Sequence, residues 1–389
     1  MDAMTGRERV AHALNHEEPD RVPLDVGGTW VSSLVVEAYD ALMRHLGGSP
    51  SPDLLNPIRR VVRLDEPTCA RLGTDTRPIV LSARLRDTRG SQLGPQIPAD
   101  AETLVDELGI TWHKVFFDGG FYWEQSTYPL VDASIEDLDA YPWPDLRDPR
   151  RFAGLEEEAR RLFYETPYAI VGDCRYKNFW EPATWLLGYE RALLALLTEQ
   201  DFMRALFEKL YALNEAAATG FLNIAGPYLT AIRCSDDLGT QESLMMSPDT
   251  YRTVIKPFHK RFYSHIKRYT DAKIILHTDG NIVALLDDLI DAGVEVLNPV
   301  QTSAIADLEG LKAVFGDRLS FWGGIDTHHV LPHGTPDEVR EEVRIRIGQF
   351  AEGGGFVAAP VHNIQADVKP ENVLAMCDAV RELGAYAIR

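Results

Sequence analysis

The stretch Lys273-Ile-Ile-Leu-His-Thr-Asp-Gly280 decides how the chain folds. Three apolar residues run directly into a histidine, a threonine and an aspartate, and a glycine then breaks the run. A short, continuous apolar run that stops at a turn residue reads as a strand buried on both faces. Its polar end then opens at one rim of a sheet or barrel. His277 and Asp279 are two residues apart, so on an extended backbone they point the same way. Such a pair can bind a metal or move a proton. The plainer reading is one His–Asp hydrogen bond that closes the strand end.

The pattern of strand, polar tip and helix repeats on both sides of this stretch. Upstream, Tyr168-Ala-Ile-Val-Gly172 leads to Asp173-Cys-Arg-Tyr-Lys177 and a helix near 182–197. Leu229-Thr-Ala-Ile-Arg-Cys234 leads to Ser235-Asp236-Asp237 and a long helix over about 248–269. Downstream, Val294-Glu-Val-Leu-Asn298 ends in Pro299-Val300-Gln301, and Leu319-Ser-Phe-Trp-Gly-Gly324 ends in Ile325-Asp326. Phe356-Val-Ala-Ala-Pro360 ends in His362-Asn363, and a helix starts near Pro370. Two earlier strands, Arg21–Val26 and Arg77–Ser82, bring the number of strands to eight. Strands alternating with helices give right-handed parallel units, and eight of them close into an α/β (β/α)8 TIM barrel. A doubly wound open sheet would carry a glycine-rich phosphate turn after its first strand, and Gly27-Gly28 alone does not supply one.

The N-terminal third departs from this repeat. Thr5-Gly6-Arg7-Glu8 fits a capping box at the start of a helix that runs to about Asn15. An amphipathic helix is expected over 31–47, and the proline-rich piece 49–57 reads as a loop. Residues about 108–127 read as an inserted β-hairpin, with alternating Ile110, Trp112, Val115 and Phe117, a turn at Asp118-Gly119-Gly120, then Phe121, Tyr122 and Trp123. The whole of 1–389 is read as one barrel domain with that insertion.

With 389 residues, 45% of them hydrophobic, the chain can bury a large core. Its net charge of −20, from 59 acidic against 39 basic residues, disfavours nucleic acid and an anionic membrane surface as partners. Cys69, Cys174, Cys234 and Cys377 are far apart and form no C-x-x-C pair, which argues against a disulfide framework or a zinc knuckle. The charged N-terminus lacks an apolar signal core and no stretch is long enough to span a membrane, so a cytoplasmic location is expected.

In such a barrel the chemistry lies at the C-terminal strand ends. The residues there are Asp173, Arg175, Asp236, Asp237, His277, Asp279, Gln301, Asp326, His362 and Asn363. Asp173 and Asp326 have an alternative role as helix caps. Asp236 and Asp237 are adjacent, so only one faces the mouth, and Asp237 is preferred. His277, Asp279 and His362 form the sharpest constellation: two imidazoles and a carboxylate with room for a substrate suit zinc or another divalent ion. Without a metal, the same three can serve as acid, base and orienter, and Asp237, His277 and His362 are the catalytic candidates. Arg175 can hold a substrate carboxylate in bidentate fashion, with Gln301, Asp326 and Asn363 as further substrate contacts. His328 and His329 can reach the mouth from their loop.

Five segments carry a resemblance: Asp236-Asp-Leu-Gly-Thr-Gln241, His277-Thr-Asp-Gly-Asn-Ile282, Leu297-Asn-Pro-Val-Gln301, Phe321-Trp-Gly-Gly-Ile-Asp326 and Ala359-Pro-Val-His-Asn-Ile-Gln365. With the Thr5-Gly-Arg-Glu-Arg-Val opening, the chain resembles the uroporphyrinogen decarboxylase superfamily along nearly its whole length. That superfamily includes zinc-dependent methyltransferases that act with methyl-corrinoid proteins. The resemblance implies the barrel, a small-molecule substrate, a corrinoid protein as partner, and methylcobalamin brought by that partner. It leaves the oligomeric state open, a homodimer included. The chain departs from the true decarboxylases, which carry arginines after the first strand and an aspartate after the second. Here those places hold Asp25-Val-Gly-Gly-Thr-Trp30 and Ser82-Ala83. The methyltransferases bind zinc through a His-x-Cys pair and a later Cys. The pair corresponds to His277 and Asp279, with Asp in place of Cys, and His362 falls near the last ligand. The resemblance therefore favours metal-assisted methyl transfer over a metal-free decarboxylase or lyase, and over a barrel that only binds a small ligand.

Overall fold

Seven short runs rich in β-branched and small apolar residues pair side by side in parallel, in chain order: β1 (Thr76–Val80), β2 (Ala169–Asp173), β3 (Ala231–Ser235), β4 (Lys273–His277), β5 (Val296–Asn298), β6 (Ser320–Ile325) and β7 (Phe356–Pro360). The computed structural model describes residues 4–50, 53–81, 85, 86, 92, 93, 97, 100–117, 119–174 and 178–386. Almost every strand residue is buried, as a sheet covered on both faces requires.

Residues 21–26 close the sheet. Leu24 makes a parallel bridge to Ala358 of β7, where Asp25 N–H donates to the Ala358 carbonyl (2.9 Å) and Ala358 N–H to the Pro23 carbonyl (2.9 Å). On the other side, Asp75 N–H donates to the Leu24 carbonyl at 2.8 Å. Pro23 has no N–H to give, so the eighth position is a bridge and not a full ladder.

The barrel interior is filled by Ala169, Val171, Ala231, Ile275, Val296, Trp322, Val357 and Ala359. Val10 and Leu14, from the helix Gly6–Leu14, join the same cluster and plug the N-terminal end. The Thr5–Glu8 capping box starts that helix. A larger apolar core lies between the outer face of the sheet and the surrounding helices.

Several elements differ from the sequence reading. The second helix covers only Val36–His45. The residues before it make non-local backbone bonds instead: Val35 N–H donates to Ile364, Ile364 N–H to Ser33, and Val62 N–H to Leu34. The expected loop at 49–57 contains a strand, Asp53–Asn56, antiparallel to Val61–Arg63. The helix over 248–269 divides into Pro248–Thr250, a π-helical turn Tyr251–Ile255 and Lys256–Ile266. Pro257 cannot donate to the helical ladder, and the wide turn lies just before it. A helix near 182–197 is two helices, Trp180–Leu187 and Tyr189–Thr198, broken at Gly188 (φ +79°).

The inserted hairpin consists of Thr111–Phe117 and Gly120–Gln125. It belongs to a five-stranded antiparallel sheet with Thr103–Val105, Leu85–Arg86 and Gln92–Leu93. Trp112 packs edge-on against Trp185, and Tyr122 Oη donates to Gln365 Oε1 at 3.2 Å. The insertion therefore stands over the C-terminal end of the barrel.

Candidate metal centre at the barrel mouth

Strand register delivers the first group. Ser235, His277 and Asn298 are Cα partners at the ends of β3, β4 and β5. Immediately after β4 the backbone must turn sharply. Gly280 has φ +92°, and a Cβ there would lie 2.5 Å from the Thr240 carbonyl oxygen, so only glycine fits. The turn is held by Gly280 N–H donating to Gln301 Oε1 (2.6 Å) and Asp279 N–H donating to Asp237 Oδ1 (3.1 Å). His362 arrives just past β7, where Val361 N–H donates to the Ile325 carbonyl.

His277, Asp279 and His362 each turn one donor atom to a common point, all within 4.8 Å of one another. His277 Nε2 is 3.8 Å from Asp279 Oδ1, and the two imidazole centroids are 5.6 Å apart. Ligand bonds of about 2.0–2.2 Å in a tetrahedral zinc site would place donors roughly 3.4 Å apart. Small rotations of the three side chains bridge that difference, so the donor set fits a divalent ion. Burial pushes the His362 imidazole down to about 4; nearby His277 and Arg59 act in the same direction, and Asp279 and Asp237 oppose them. His362 is therefore a neutral imidazole with a lone pair to offer at neutral pH.

Beside the three donors lies a cavity of about 300 Å³, lined by Gln241, Asp279, Gln301, Thr327, His328, Val361, His362, Asn363 and Gln365. Gln301 and Asn363 both line it; Asn363 Nδ2 donates to the Trp30 carbonyl. Asp237 is half-buried beside Asp279. Its neighbour Asp236 is fully buried and accepts from the N–H groups of Phe179, Trp180 and Glu181, which caps the helix Trp180–Leu187. Asp236 also accepts from His259 Nε2 (3.0 Å), whose Nδ1 accepts from Tyr251 Oη. Asp173 is bound to Arg233 Nε (2.9 Å) and Nη2 (2.8 Å) inside the barrel. Asp326 Oδ1 accepts from His328 N–H (2.6 Å) and His329 N–H (3.1 Å), which holds the turn before the short helix Val330–His333, and it does not line the cavity. Arg175 lies outside the described residues, as do Tyr176, Lys177 and Ser82-Ala83.

Three neighbours of the site carry no spacing signal. Trp30 packs edge-on against His362 at 6.2 Å. Asn298 Oδ1 is 2.6 Å from His277 Nδ1. Arg59, exposed on the turn before Val61–Arg63, acts electrostatically on His362 and on Tyr189.

The uroporphyrinogen decarboxylase (URO-D) family model matches residues 180–383, just over half of the chain. The chain belongs to this family. Among curated relatives, the family member methylcobamide:CoM methyltransferase MtaA of Methanosarcina barkeri is 30% identical over 193 residues, 47% of this chain and 53% of that protein. The match thus spans about half the length of that relative. Uroporphyrinogen decarboxylase of Pseudomonas fluorescens is 24% identical over 310 residues, 75% of this chain and 80% of that protein. Among solved structures, a methyltransferase from Methanosarcina mazei superposes with a TM-score of 0.68 over 97% of this chain and 99% of its own, at 20% identity. That likeness is one of fold, and it supports the barrel described above. Family members thus include methyltransferases and decarboxylases. Among the described residues no helix is long and apolar enough to cross a membrane.

Proposed function

We propose that this URO-D family member is a metal-assisted methyltransferase that takes its methyl group from a corrinoid partner protein. His277, Asp279 and His362 hold the divalent ion, zinc or a harder relative. The observation that carries this reading is the convergence of those three donors within 4.8 Å at the mouth of the barrel. Three protein ligands leave a coordination position open, which is the arrangement of catalytic and not structural zinc. A bound ion would supply Lewis acidity that lowers the pKa of an acceptor thiol. Replacing thiolates by Asp279 and His362 makes the donor set harder, which shifts preference among divalent metals.

The remaining roles fall to the chain itself. The cavity of about 300 Å³ takes a small acceptor. Gln301 and Asn363 orient it from the walls, Arg175 is a further contact, and Asp237 both fixes the Asp279 backbone and receives the acceptor's proton. The partner presents its methylcobalamin to the open end of the barrel. Similarity to a methylcobamide:CoM methyltransferase supports a thiol acceptor.

Metal analysis of the purified protein tests this reading. One equivalent of zinc or another divalent metal is expected, together with thiol-dependent demethylation of methylcobalamin. No metal in any preparation, including protein refolded with zinc, would overturn it. The runner-up is a metal-free decarboxylase or lyase, with Arg175 holding the acid and His362 or Asp237 moving the proton. The longer match to the decarboxylases favours it, and retained activity after exhaustive chelation would select it.

A further inference from the structure

The atoms behind His277 determine which of its nitrogens carries the lone pair that faces Asp279. Asn298 is buried at the end of β5. Its amide meets two groups: Trp322 O at 2.9 Å from Nδ2, and His277 Nδ1 at 2.6 Å from Oδ1. The Trp322 carbonyl can only accept, so the amide must turn its NH₂ toward it; the flipped amide would set two carbonyl oxygens against each other. With that end fixed, the end facing His277 is an oxygen, which can only accept. His277 Nδ1 therefore carries the proton. In the neutral imidazole the lone pair is then at Nε2, the nitrogen 3.8 Å from Asp279 Oδ1.

The carbonyl that starts this chain of constraints is itself anchored. Trp322 Nε1 donates to Asp25 Oδ2 (2.8 Å), and Asp25 Oδ1 accepts from Thr76 Oγ1 (2.6 Å) and Gly28 N–H (2.7 Å). β6 thereby acts as a fixed reference, and Asn298 transmits it to the site. An amide can accept from an imidazole through its oxygen and donate to a carbonyl through its NH₂ at once. It does so without adding charge, so Asp279 remains the one formal charge of the donor set.

We infer that Asn298 is the positioning residue of the site: by accepting from Nδ1–H it fixes the tautomer of His277 and aims its Nε2 lone pair at the place where the ion is held. This rests on the metal-binding reading above only in its second half. Supporting hydrogen bonds of this kind are typically worth 10–100-fold in metal affinity.

Two measurements on the full-length protein test it. Long-range ¹H–¹⁵N correlation on ¹⁵N-histidine-labelled, metal-stripped protein reads the His277 tautomer, with assignment by His277→Gln. Competition with a chromophoric chelator reads the zinc Kd. The wild type is expected as the Nδ1–H tautomer. Asn298→Leu, which keeps the volume and removes the acceptor, is expected to lose that tautomer preference and weaken zinc binding about 10–100-fold. Asn298→Asp keeps the acceptor for Nδ1–H, and with its other oxygen protonated it can still donate to the Trp322 carbonyl; it is expected to retain the tautomer and to bind zinc more tightly than Asn298→Leu. An Nε2–H tautomer in the wild type would overturn the inference, and so would unchanged tautomer and Kd in a folded Asn298→Leu. If Asn298→Leu does not fold, the wild type and Asn298→Asp still decide. If the wild type binds no zinc but shows the Nδ1–H form, the metal reading fails and the tautomer assignment stands.

Discussion

At the N-terminal end of the barrel, Asp75 accepts from Arg9 Nη1 (2.5 Å), Arg21 Nη1 (2.9 Å), Arg21 Nη2 (3.0 Å) and Leu24 N–H (2.8 Å). Arg9 also bonds to Asp20 and to the Met4 carbonyl. Each buried charge there has a partner of the opposite sign. At the C-terminal end, His277, Asp279 and His362 meet without a guanidinium or ammonium bonded to any of them among the described residues, and Asp279 and His362 line a cavity. The first cluster closes on itself and ties helix Gly6–Leu14 and residues 21–24 to the barrel. The second has no such counter-charge among the described residues. Charge pairing closes the Asp75 cluster and is missing from the mouth cluster, which lies at the end of the barrel where chemistry is built.

The sharpest way to break this contrast is to exchange the expected effects. Asp75→Ala leaves two largely buried guanidiniums without their shared carboxylate, and a loss of about 3–5 kcal/mol in denaturant unfolding is expected. Zinc uptake by the folded fraction should not change. His362→Ala should do the opposite: it removes a ligand, so zinc binding falls by more than the 10–100-fold that loss of a mere supporting bond would cost. Its unfolding free energy should move by only about 1 kcal/mol, because the side chain sits at a cavity wall. Metal loss in folded Asp75→Ala, or a large stability loss in His362→Ala, would show that the two ends are not separate in role.

Legibility from sequence followed the same division. The seven strands were readable because burial on both faces leaves unbroken apolar runs, such as Ile274–Leu276 and Phe356–Ala359. Residues 21–26 were readable as a strand, although Pro23 reduces the ladder to a bridge. The meeting of His277, Asp279 and His362 follows from barrel closure alone, since it depends on strand order and not on spacing. Residues 31–35 looked helical because their apolar period fits, but their backbone groups bond to Ile364 and Val62 far along the chain. Asp326 looked like a mouth residue and bonds instead to the backbone of His328 and His329. Asn298 and Trp30 were not singled out as site residues: Asn298 reads as the last residue of a strand, and Trp30 follows the Gly27-Gly28 turn with no spacing to the histidines. Only their contacts with His277 and His362 reveal them.

The smallest expected effect concerns a half-buried acid, Asp106, which sharpens the contrast because no cation is bonded to it among the described residues. Asp106, in the inserted sheet, accepts from Leu108 N–H (2.9 Å), Ile110 N–H (3.0 Å) and Trp112 Nε1–H (2.9 Å). Burial outweighs these donors and pushes its carboxyl up to about 6, with nearby Glu107 adding to the rise. In the unfolded chain the group titrates near its ordinary value of about 3.9. Between those two values the folded protein binds the proton more tightly than the unfolded chain does. Stability from this group is therefore full below pH about 4, declines as pH rises, and is gone above pH about 6. The effect should be on the order of 1 kcal/mol, given the partial exposure of the site. Asp106→Asn removes the titration and adds only a pH-independent offset, since its NH₂ is a donor and would face one of the N–H groups that Asp106 now accepts from. Denaturation midpoints at pH 4, 5, 6 and 7 for both proteins should thus differ by an amount that shifts in favour of Asp106→Asn as pH rises. A difference that is flat across this range would mean that the three N–H donors hold Asp106 as a carboxylate throughout, and that a buried acid here needs no cation to stay charged.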